Sequence, residues 1–67
     1  NMPCIVNAAN EVAVDAFLHN RIGFLAMSDV IEQAMERMPF IAKPTYEDYV
    51  QTDCETRRIT AELIATR

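Results

Sequence analysis

Apolar residues recur along the chain at spacings of three and four, the repeat that lays one face of a helix against a core. Ile5, Val6, Ala9, Val12, Ala13, Ala16 and Phe17 form the first such stripe, in a stretch without internal glycine or proline after Pro3. Pro3 suits a first helical turn, where its missing N–H would have no partner anyway. A helix is expected over residues 3–19. Asn20 to Gly23 then break the pattern, with Asn20 or Gly23 as the candidate left-handed stop.

Met27, Val30, Ile31, Ala34, Met35 and Met38 make a second stripe, predicting a helix over 25–38. Ser28 could cap it, but a start near Leu25 keeps Met27 in the stripe. The segment PFIAKP, residues 39–44, must be extended, since each proline pushes its predecessor out of the helical region. Thr45 and Asp48 have capping-box spacing, and Glu47 and Asp48 suit a positive helix start. A third helix over 46–66 would then place Tyr46, Val50, Cys54, Arg57, Ala61 and Ile64 in a near-heptad seam. The expected fold is all-α, a small three-helix bundle occupying residues 1–67 as one domain.

Sixty-seven residues hide only about 60% of the surface the unfolded chain exposes. Such a core is marginal without staples or a partner. A hydrophobic share of 51% and one glycine argue against disorder. The net charge of −4 offers no footprint for a phosphate backbone, so nucleic acid is not an expected partner. No apolar run reaches the 18 residues of a membrane span and no leader pattern is present, so a membrane is not expected either. Two cysteines, Cys4 and Cys54, are too few for a secreted disulfide scaffold and read as reduced, buried thiols of a cytoplasmic protein. The opening Asn1-Met2-Pro3 reads as the tail of something longer.

The first helix also carries a second, mixed flank. At 100° per residue Asn7 and Asn10 lie about 60° apart, sharing that flank with Val14, with Glu11 and Leu18 nearby. A solvated face would carry Lys, Glu and Arg, whereas Val14 and Leu18 call for contact with protein. Three readings remain open for the carboxamides: a docking surface with structural hydrogen bonds, plain solvated positions, or direct ligand contact. The first is favoured, because buried amides persist only when hydrogen-bonded.

Catalytic chemistry is not visible. One histidine, His19, cannot build an ordinary zinc site, and glycine-rich phosphate loops and a nucleophile beside a base are missing. Asp15 with His19, Asp53 with Arg57, and Glu55 with Arg58 sit at helical pairing distance and read as stabilising pairs. Arg57 falls in the apolar seam and must stack, snorkel or meet a carboxylate. The methionines read as core filling, and Tyr46 and Tyr49 as packing residues.

The run VNAANEVAVDAFL at 6–18, followed by RIGF at 21–24, DVIEQAM at 29–35 and TYEDYVQTDCETRR at 45–58, resembles the C-terminal end of the 1-deoxy-D-xylulose 5-phosphate reductoisomerase family. The resemblance implies a helical C-terminal segment of a larger α/β enzyme. That enzyme would convert 1-deoxy-D-xylulose 5-phosphate to 2-C-methyl-D-erythritol 4-phosphate with NADPH and a divalent metal, Mg or Mn, in non-mevalonate isoprenoid synthesis. The family's nucleotide loop, metal ligands and phosphate site lie upstream, so no catalytic, cofactor-binding or metal residue is carried onto this chain. Asn7, Asn10, Glu11, Val14 and Leu18 become expected contacts with the upstream domains, and the separated fragment is expected to be inactive and to self-associate. Leu25 and Ala26 stand where relatives usually have a polar cap, which implies a poorly capped second helix. The competing reading is an independent acidic helical module that binds a protein partner.

Overall fold

The expected stop signals operate where the chain first turns. α1, Met2–Leu18, ends in a Schellman arrangement: the Arg21 N–H bonds the Ala16 carbonyl at 2.8 Å and the Asn20 N–H bonds that of Phe17 at 3.0 Å. Asn20 takes the left-handed conformation, φ 60°, so Asn20 and not Gly23 is the stop. Gly23 instead precedes α2, Phe24–Arg37, and no side chain caps that helix start. α3, Tyr46–Ala65, opens on the expected capping box: the Asp48 N–H donates to Thr45 Oγ1 at 3.2 Å and the Thr45 N–H to Asp48 Oδ2 at 2.9 Å. This computed structural model describes residues 1–66, so the last position of the expected helical domain, Arg67, lies outside the described residues. Among the described residues these three helices form an all-α bundle without strands.

α1 and α3 run parallel, as Cys4 meets Tyr49 and Glu11 meets Arg57, while α2 returns between their ends. The core has two linked clusters. One joins Ala9, Val30, Ala34 and Leu63; the other joins Ala13, Ala16 and Ile22, and Ile31 and Ile64 pack against both. The α2 stripe behaves as its spacing predicts, with Val30 and Ala34 buried and Met27, Ile31, Met35 and Met38 half-buried.

α1 and α3 depart from their expected faces. On α1 the fully covered positions are Ile5, Ala8, Ala9 and Ala13, with Ala16 nearly so, whereas Val6 and Phe17 sit at the edge of the packed face and stay more than a third open. On α3 most of the expected seam points away from the core: Tyr46 is 82% exposed and Val50, Cys54 and Ala61 are also exposed, whereas Arg57 is half-buried and Ile64 packs against both clusters; Tyr49, outside that seam, is exposed as well. Thr52, Thr56, Thr60 and Leu63 face inward instead. The alanine face of α1 receives large side chains from the other elements, Val30, Leu63 and Ile22 among them, while threonines fill most of the inward face of α3. The tyrosines are therefore not packing residues within this chain. Both thiols are free as expected, but Cys4 is half-buried and Cys54 exposed, not buried.

Candidate functional site

The flank singled out on α1 lies opposite its alanine face. At 100° per residue Asn7, Val14 and Leu18 fall within about 40° of one another, on the line farthest from the core. Asn7 and Asn10 are exposed, Val14 is half-buried, and Leu18 is 70% exposed. Neither carboxamide has a hydrogen-bond partner among the described residues. Asn10 lies on the shoulder that also carries Val6 and Phe17, and Glu11 lies on the opposite shoulder, toward α3.

Glu11 is tied inward. Its Oε2 accepts from Arg57 Nη2 at 2.6 Å, and Arg57 Nε donates to Asp53 Oδ2 at 2.9 Å. Hydrogen bonds donated to Asp53 and then to Glu11 push the Arg57 guanidinium further above its already high range, so it stays charged at every accessible pH. Of the three fates open to an arginine in that seam, it meets carboxylates. Of the five flank residues, Glu11 thus fastens α1 to α3.

The sequence pattern missed an apolar corner where α1 meets α2. Phe17 and Phe24 stack edge to face, with ring centroids 6.1 Å apart at 71°, and Phe24, Leu18 and Leu25 are largely exposed around them. The signal was present in the FL dipeptides at 17–18 and 24–25, since two adjacent large residues cannot share one buried helix face.

The remaining polar groups pair locally. His19 Nδ1 lies 2.8 Å from the Asp15 carbonyl oxygen and 3.5 Å from its carboxylate, and Arg58 bonds Glu55 and Glu62. A cleft of about 410 Å³ opens between the end of α2 and α3, with Arg37, Asp48, Gln51 and Glu55 among its walls, and it holds no nucleophile beside a base. Among the described residues no group of three or more His, Cys, Asp or Glu side chains is placed to hold a metal ion.

The family described as the DXP reductoisomerase C-terminal domain matches residues 1–59. The chain is 64% identical over 66 residues to the 1-deoxy-D-xylulose 5-phosphate reductoisomerase of Phocaeicola vulgatus, covering 98% of this chain and 17% of that protein. It is 70% identical over 64 residues to the enzyme of that name from Bacteroides thetaiotaomicron, covering 96% and 16%. A third relative of that name, from Bacillus cereus strain AH187, is 52% identical over 64 residues, covering 96% and 17%. The chain thus spans 16–17% of the length of these relatives. With the family matched over most of its length, and the relatives over nearly all of it, this chain belongs to the DXP reductoisomerase C-terminal domain family.

Proposed function

We propose that this chain is the C-terminal helical part of a 1-deoxy-D-xylulose 5-phosphate reductoisomerase and that it braces the catalytic body without supplying a catalytic group. The parent would rearrange and reduce 1-deoxy-D-xylulose 5-phosphate to 2-C-methyl-D-erythritol 4-phosphate. NADPH would supply the hydride and Mg or Mn the Lewis acid, both held by upstream residues. The family membership supports the parent activity. The observation that carries the bracing role is the outer line of α1, where Asn7, Val14 and Leu18 face away from a core that needs none of them.

In the parent, Asn7 and Asn10 would hydrogen-bond upstream backbone while Val14 and Leu18 lose water, a mixture typical of interfaces between domains of one chain. The partner is thus the upstream part of the same protein, and the setting is the cytoplasm. No helix among the described residues is long and apolar enough to cross a membrane. Cut from its parent, the chain would self-associate through its uncovered apolar residues, and a monomeric mass by light scattering at high concentration would contradict this.

The deciding experiment mixes the 67-residue chain with the separately expressed upstream region and follows substrate-dependent NADPH oxidation. Restored turnover is expected, with none from the chain alone. Failure of the two parts to associate would refute the bracing role, and turnover by the chain alone would refute the division of labour.

A further inference from the structure

A second outward feature lies at the connection between α2 and α3, away from the flank of α1. Its sequence, MPFIAKP over residues 38–44, has prolines at 39 and 44 and one charged residue, Lys43. Asn1 grips this segment from both sides of a single residue. Its Nδ2 donates to the Pro39 carbonyl at 2.8 Å, its Oδ1 accepts from the Ile41 N–H at 2.8 Å, and the nitrogen of Asn1 donates to the Ile41 carbonyl at 3.3 Å. Asn1 itself is only 8% exposed, so both ends of a buried carboxamide are satisfied by the loop. Between the two gripped residues stands Phe40, 68% exposed. Pro39 fixes its own φ and the carboxamide fixes Pro39 and Ile41, so the loop has little freedom to fold the ring back onto the bundle.

We propose that Phe40 is a docking point for the part of the parent chain that precedes Asn1. The inference rests on the bracing role above and adds a second contact to it, separate from Asn7, Asn10, Val14 and Leu18. Position identifies the occupant. The family is a C-terminal domain and this chain spans 16–17% of its relatives, so the bulk of the parent precedes Asn1. That preceding chain joins at the one residue hydrogen-bonded to both neighbours of Phe40, which brings its last residues beside the ring. The nearly uncharged loop calls for an apolar receiving surface. A solvent-facing phenylalanine would have no need of so rigid a mount.

The test is hydroxyl-radical footprinting of the unmodified full-length enzyme, reading oxidation at Phe40 and Leu18 in the native and the urea-unfolded protein. Protection of Phe40 by about an order of magnitude in the native enzyme is expected, a level that transient opening of an ordered contact permits. Oxidation of Phe40 at the unfolded rate overturns the inference. If Leu18 is protected in that case, the bracing role stands without Phe40; if both are reactive, both fail. Phe40→Ser in the full-length enzyme provides a second measurement. Phe40 is exposed in the bundle itself, so a lowered melting temperature reports loss of the upstream contact, and unchanged melting counts against it.

Discussion

Thr56 and Thr60 invite opposite outcomes from the same substitution. Both are fully buried on the inward face of α3, one helical turn apart. The Thr60 hydroxyl donates to the Thr56 carbonyl at 2.6 Å, whereas Thr56 Oγ1 is buried without a hydrogen-bond partner among the described residues. Burying an unpaired hydroxyl costs about 1–3 kcal/mol. Valine has nearly the same shape and a similar helix propensity, so Thr56→Val replaces the unpaired oxygen with a methyl that belongs in such a site. A gain of about 1–2 kcal/mol is expected, and at about 4–8 °C per kcal/mol for a domain of this size the melting temperature should rise clearly. Thr60→Val loses a hydrogen bond worth about 0.5–1.5 kcal/mol. It also presses a methyl carbon toward an oxygen that the hydroxyl approaches to 2.6 Å, so it should melt lower. The assay is thermal and urea unfolding of both variants beside the unsubstituted chain, followed by circular dichroism. Destabilisation by Thr56→Val would refute the reasoning, because it would mean that the hydroxyl is paired.

Other perturbations test the remaining joints. Arg57→Met should cost only about 0.5–1 kcal/mol, since the arginine and both its partners are substantially exposed, and the loss should shrink in 1 M salt, measured by melting at two ionic strengths. Asn1→Ala strips partners from the Pro39 carbonyl and the Ile41 N–H and should cost about 1–3 kcal/mol, with faster hydrogen exchange at the Ile41 amide as its local signature. Thr45→Ala removes the capping oxygen of α3 and should cost about 1 kcal/mol in urea unfolding.

Legibility in the sequence followed side-chain size more than polarity. α2 was readable because methionine, valine and isoleucine flank Ala34 along its inward stripe and announce burial by type as well as spacing. The turn after α1 and the capping box of α3 were readable because Asn20, Thr45 and Asp48 act through local backbone chemistry that needs no tertiary context. The inward face of α3 was not. Threonines at 52, 56 and 60 repeat every four residues, but a hydroxyl counts as polar in any pattern, so the seam went to Tyr46, Val50 and Cys54. Knowing which face of α3 the other two helices cover would have reversed the choice, and that is tertiary information. Asn1 was invisible for a related reason: its partners are 38 and 40 residues away, beyond the reach of any local rule.

The misread seam bears on what the bundle is for. A chain free to optimise its own core would place tyrosine, valine and phenylalanine inward and threonine and alanine outward, because large apolar side chains gain about 1.5–3 kcal/mol each on full burial while a threonine gains less. On α1 and α3 this chain buries mainly alanine and threonine, with Ile5 and Leu63 as the large exceptions, and holds Leu18, Tyr46 and Val50 outward. The inversion is costly for a domain of 67 residues, which hides so little surface to begin with. It is consistent with large side chains spent on a body outside the bundle and small ones on drawing the helices together behind them. Exchanging the roles at one pair of positions, Tyr46→Thr with Thr52→Val, should therefore leave the isolated chain as stable or more so while weakening its hold on the upstream region. Equal or tighter binding by that double variant, measured calorimetrically, would break the link between the outward seam and the parent.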